Sequence, residues 1–114
     1  MLFQTRKVLG LIVWYDDGQV FRVVNEAEWA ALPDDGLVEA VIYFDDGRRN
    51  TLGAMDWYFY APHPDGPIYG SDIYTTPDEI RRRYPGAIVK RGKWVPEETM
   101  ARITAEALAA KWNA

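Results

Sequence analysis

Cysteine is missing from all 114 residues. That removes a disulfide framework, thiolate zinc sites and a cysteine nucleophile together, and it fits a reducing compartment. Serine and histidine are almost missing too, with Ser71 and His63 as the single copies. A nucleophile needs a base and an orienting group, and Ser71 lacks the Gly-x-Ser-x-Gly surroundings of a strained strand-to-helix turn. There is no Walker-type Gly-Lys-Ser/Thr and no dinucleotide fingerprint, since the glycines stand singly in turns and Gly10 is isolated in an apolar run. Long hydrophobic runs are also lacking. Residues 8–15 follow Arg6-Lys7 as a leader peptide would, but Asp16-Asp17 cut the run off and no small-residue cleavage site follows. The run is far too short to span a bilayer. The expectation is a cytoplasmic binding protein, not an enzyme, with no catalytic residue, no metal, no cofactor and no membrane segment.

What is present suits one compact domain over residues 1–114. Hydrophobic residues make up 48% and aromatics 14%, with five Trp and seven Tyr. Such a chain buries a core without staples, and the surplus of rings serves either that core or a ring-binding surface. The net charge of −4 conceals an asymmetry. Residues 1–80 carry fourteen acids and five bases (−9), whereas residues 81–114 carry three acids and eight bases (+5).

The first two thirds read as β-hairpins. Residues 8–15 and 20–24 flank Asp16-Asp17-Gly18, and residues 37–44 and 48–52 flank Asp45-Asp46-Gly47, the same layout 29 positions later. An apolar run, an Asp-Gly turn and a return strand form a strong local hairpin signal. Asp-Asp-Gly also occurs at 34–36. These acids are turn residues for backbone reasons, and no EF-hand loop fits any of the three. Residues 25–32 make a brief helical turn. Residues 56–60 form a strand, 62–67 a proline loop, and 68–70 a short edge strand. Thr76-Pro77-Asp78-Glu79 is a helix start with a reciprocal cap, ended by Tyr84-Pro85-Gly86. Residues 87–90 are a strand or extended link, and residues 96–111 form a last helix with Met100, Ile103, Ala107 and Leu108 in one stripe. The fold class is α+β: an antiparallel sheet built from hairpins, with a short helix and a C-terminal helix.

Two segments suggest a site. Between residues 81 and 93 there are six bases and no acid, with Tyr84 inside and Trp94 beside the run. Arginine forks and aromatic faces are what phosphates and bases require, although cations near a helix C-terminus also complement its dipole. In Asp56-Trp57-Tyr58-Phe59-Tyr60, strand alternation turns Trp57 and Phe59 one way and the tyrosines the other, so one set is core and the other faces outward if the sheet is covered on one side only. The expected ligand-binding set is therefore Tyr58 and Tyr60 for stacking, with Arg81, Arg82, Lys90, Arg91 and Lys93 for phosphate. On that expectation, replacing Lys90 and Arg91 by Ala removes binding and leaves the fold intact.

The paired Trp14-Tyr15-Asp16-Asp17-Gly18 and Tyr43-Phe44-Asp45-Asp46-Gly47 hairpins, residues 56–60, Arg83-Tyr84-Pro85-Gly86 and Lys90-Arg91-Gly92 give a layout that resembles small accessory proteins of tailed phages and prophages. In element order and size it is similar to the anti-Thoeris sponge proteins. That resemblance implies sequestration of a cyclic nucleotide immune signal, and assembly as a homodimer or higher homo-oligomer. It carries no family binding residue onto this chain. The sequence thus leads to a small anionic nucleotide ligand bound without turnover, in a phage anti-defence role. The alternative is a protein-interaction or structural accessory role, such as docking on a host protein. Nucleic acid is argued against by the overall negative charge.

Overall fold

The computed structural model describes residues 7–112. Strand β1 (Val8–Tyr15) returns as β2 (Val20–Val23), and β3 (Asp35–Phe44) returns as β4 (Arg49–Leu52). The two turns use one device. Asp17 accepts from the Gln19 backbone N–H at 3.0 Å, and Asp46 accepts from that of Arg48 at 3.0 Å. The repeated Asp-Asp-Gly is therefore turn chemistry in both places. Helix α1 (Glu26–Ala30) lies between the hairpins, with the Asn25 side chain accepting from Glu28 N at 2.8 Å. After β5 (Trp57–Ala61) and β6 (Ile68–Asp72) comes α2 (Pro77–Arg83), capped by Thr76 as its sequence predicts. Strand β7 (Ile88–Gly92) and helix α3 (Glu97–Ala109) complete the order.

These elements confirm the α+β class, with a seven-stranded sheet in the order β2-β1-β3-β7-β5-β6 and β4 attached to β3. The pairing is antiparallel except at one place, where β3 and β7 run parallel with Asp35 opposite Arg91 and Leu37 opposite Gly92. The extended segment after α2 is thus an interior strand that joins the two halves of the sheet. Strand β3 is shared three ways. One edge meets β1, while the other meets β4 at residues 40–43 and β7 at residues 35 and 37. Strands β4 and β7 do not reach each other along that edge, and the Tyr58 hydroxyl closes the gap. It lies 2.5 Å from Gly53 O and 3.2 Å from Val38 O, and it accepts from Met55 N at 3.2 Å.

Both faces of the sheet are covered. One face packs Leu11, Val13, Tyr15, Ile42, Phe44, Tyr58 and Tyr60 around Trp29 of α1. The Trp29 indole N–H donates to Ile88 O at 2.9 Å, and its ring meets Tyr69 edge-on at 5.8 Å. On the other face, Ile103 and Ala107 of α3 pack on Ile12, Trp14, Val38, Val41 and Tyr43. Beside them Ile80 of α2 packs with Phe59, Ala61 and Ala87. The end of α3 is anchored through Ala110 O, which accepts from Arg49 at 2.9 Å and from Tyr43 OH at 3.2 Å. Gly10 has no side chain for a steric reason: a Cβ there would stand 2.4 Å from the Trp112 ring, which rests on that strand position. Among the described residues no helix is long and apolar enough to cross a membrane.

Candidate functional site

The parallel β3–β7 junction ends in an open groove of about 470 Å³, lined by Asp16, Asp35, Gly36, Arg91, Gly92, Lys93 and Trp94. Three elements deliver these residues. Asp16 follows β1, Asp35 and Gly36 open β3, and residues 91–94 carry β7 out of the sheet. Backbone bonds hold the three together: Asp16 N to Gly36 O at 2.9 Å, Arg91 N to Asp34 O at 2.7 Å, and Lys93 N to Leu37 O at 2.9 Å. Gly92 N also donates to Asp56 O at 2.7 Å. That closeness requires glycine, because a Cβ at position 92 would fall 1.8 Å from Met55 O.

Each side chain in the groove has a distinct setting. The Arg91 guanidinium lies over the Trp57 ring at 4.9 Å, which holds it by cation–π attraction without occupying its donor fork. Trp94 is 60% exposed, yet its indole N–H donates to Asp56 Oδ1 at 2.7 Å. The ring is therefore fixed in orientation while much of it meets solvent. Lys93 is paired to Asp16 at 2.7 Å, and the hydrogen bond it donates to that carboxylate holds the ammonium above its ordinary pKa. Together the groove offers a stacking ring, an arginine fork, an engaged lysine and carboxylates of Asp16 and Asp35. It can hold a ring and one anionic group. Among the described residues no group of three or more His, Asp or Glu is placed to hold a metal ion.

The structure divides the residues expected from sequence. Arg91 and Lys93 come together in the groove. Arg81 and Arg82 stand on α2 and do not line it. Arg82 pairs with Glu79 at 2.9 Å and Arg81 with Asp78 at 3.5 Å, both within the same helix. Three of the expected residues need correction because they are core. Tyr58 is 0% and Tyr60 8% exposed, since the sheet face that holds the tyrosines packs into the cluster around Trp29 of α1. Lys90, 2% exposed, is also core. Its ammonium donates to Ala30 O at 3.0 Å, Leu32 O at 2.9 Å and Asp34 Oδ1 at 2.9 Å. It thus closes the end of α1 and has no proton left for a ligand. That hydrogen bond also holds the Asp34 carboxyl below its ordinary pKa.

Four groove or groove-supporting residues escaped the sequence expectation: Asp16, Asp35, Trp57 and Trp94. The acids read as turn residues, and only the β1–β3 and β3–β7 pairings bring them beside Arg91 and Lys93. Trp94 carried a usable signal, as an aromatic directly after the basic run. Trp57 carried one only in alternation, which puts it on the same sheet face as its cross-strand partner Arg91. The chain matches no family model, no curated protein and no solved structure.

Proposed function

We propose that this chain is a non-catalytic binding protein whose groove at the end of β7 takes a small, ring-bearing anion of the nucleotide class. Its role would be to sequester that ligand in the cytoplasm, as expected of a phage anti-defence protein. The supporting observation is Arg91 held on the Trp57 ring with its fork open among the described residues, beside the oriented and exposed face of Trp94. An arginine fork matches a phosphate, and an indole face stacks on a base irrespective of sequence. Asp16 and Asp35 oppose a ligand of high negative charge, so a single phosphate, free or cyclic, suits the groove better than a polyphosphate.

Thermal unfolding against linear and cyclic mononucleotides at fixed salt tests this reading. A ligand that binds only the folded state adds roughly 2.7 kcal/mol of stability at a hundredfold excess over its Kd. Arg91→Ala removes an exposed side chain, so it leaves the unliganded transition within about 0.5 kcal/mol of wild type while abolishing the ligand shift. A shift that survives Arg91→Ala refutes the groove as the site. Recovery of the ligand unchanged after incubation separates sequestration from turnover.

A second reading, docking on a partner protein, is favoured by Tyr74. Its side chain is 96% exposed, and its backbone sits at φ 60°, a conformation rarely adopted by a non-glycine residue. No response to any nucleotide, together with a partner lost on Tyr74→Ala, would favour that reading.

A further inference from the structure

Two opposite charges in the groove are neighbours and do not meet. Asp35 and Arg91 are partners across the parallel ladder. The Arg91 guanidinium is drawn onto the Trp57 ring on its other side, 4.9 Å away. The Asp35 carboxylate is left without a hydrogen bond or close ion pair among the described residues, and it acts on Lys93 only through its field. Asp16 occupies that lysine at 2.7 Å. The groove therefore presents a free pair of acceptor oxygens and a free donor fork, with the Trp94 ring on the same lining.

An ionised carboxylate accepts hydrogen bonds and donates none. The ring edge that suits it has two donors side by side, as a guanidinium does. Guanine has such an edge in N1–H and the exocyclic N2 amine. Adenine offers one donor next to a ring-nitrogen lone pair, which a carboxylate repels. Xanthine carries an oxygen where guanine carries its amine, and it meets the same repulsion.

Building on the ring-bearing-anion reading above, we propose that the groove selects guanine among the bases: Asp35 reads the N1/N2 edge, Trp94 stacks on the purine, and Arg91 takes the single phosphate. Asp35 is exposed and, among the described residues, bonds to nothing through its side chain, so the groove can be re-specified there without unfolding the protein.

Calorimetric titration of wild type and Asp35→Asn with GMP, AMP and XMP at one salt concentration tests the proposal. A good bidentate pair is worth roughly 1–3 kcal/mol of discrimination, so GMP should bind wild type roughly tenfold or more tighter than AMP and XMP. Asn presents one acceptor and one donor. Asp35→Asn should therefore weaken GMP by a similar factor and strengthen XMP, with an unchanged melting transition. Equal affinity of wild type for GMP and AMP overturns guanine selection while leaving the ring-bearing-anion reading standing. Guanine preference that persists in Asp35→Asn overturns the role of Asp35. Failure of GMP to bind overturns guanine selection, and the ring-bearing-anion reading falls with it if the cyclic mononucleotides also give no thermal shift.

Discussion

The Lys90 ammonium has three protons, and three oxygens of the 30–34 segment take them. A buried cation is tolerated only when it is satisfied in this way. Lys90 therefore holds α1 and the following turn against β7. Lys90→Ala leaves the buried carbonyl of Leu32 and the part-buried one of Ala30 without that partner, and an unmet buried acceptor costs roughly 1–3 kcal/mol. Urea titration should show a loss of about 3 kcal/mol. This reverses the expectation that position 90 can be changed without harm to the fold. Arg91, one residue on, points to the opposite face, and its replacement is expected to affect binding alone. Neighbouring bases in one strand thus have unrelated roles because β-strand side chains alternate.

At the scale of elements, the weak point of the sheet is the fork on β3. Along one edge of β3, β4 pairs as far as Leu52 opposite Ala40 and β7 ends at Gly92 opposite Leu37, leaving the stretch between them without a strand partner on that edge. Tyr58 supplies from β5 the hydrogen-bonding group that a neighbouring strand would have given. Burial pushes its phenol well above the ordinary range, so it stays neutral and keeps its proton for Gly53 or Val38. Tyr58→Phe fills the same space without the oxygen. It is expected to cost about 1–2 kcal/mol in chemical denaturation, and to speed amide exchange at Met55, whose N–H loses its acceptor.

For the whole molecule, pH acts through carboxyls shifted in opposite directions. Glu39 lies in β3 facing α3, 1% exposed, with the Thr104 hydroxyl donating to it at 3.2 Å. Burial raises its carboxyl above the ordinary pKa. The fold therefore favours the protonated form. That contribution is fully present below the unfolded value of about 4.3 and is lost as pH rises through the folded value. Asp17 and Asp34 are shifted downward, by bonds from Gln19 and Lys90, so their contributions are present above the unfolded value and lost as pH falls through the folded one. Glu39→Gln removes only the first effect. Its melting temperature should exceed that of wild type at pH 7, and the difference should shrink towards pH 4. A constant difference across that range would show that the Glu39 carboxyl is not shifted.

Local signals in the chain were sufficient for most of the elements. The Asp-Asp-Gly turns, the Thr76-Pro77 start and the apolar stripe of residues 96–111 depend on neighbours a few positions apart, and those interactions are short-ranged by nature. The alternation of Trp57 and Phe59 against Tyr58 and Tyr60 was legible for the same reason. The placing of β7 between β3 and β5 was not, because it rests on pairing Asp35 with Arg91 across 56 positions. The groove inherits that dependence. Composition marked residues 81–93 as basic, but only the packed sheet sends Lys90 inward to cap α1, holds Arg91 on Trp57, and sets Asp16 and Asp35 beside Lys93. A charge's role depends on what surrounds it, and those surroundings are made by strands that are distant in sequence.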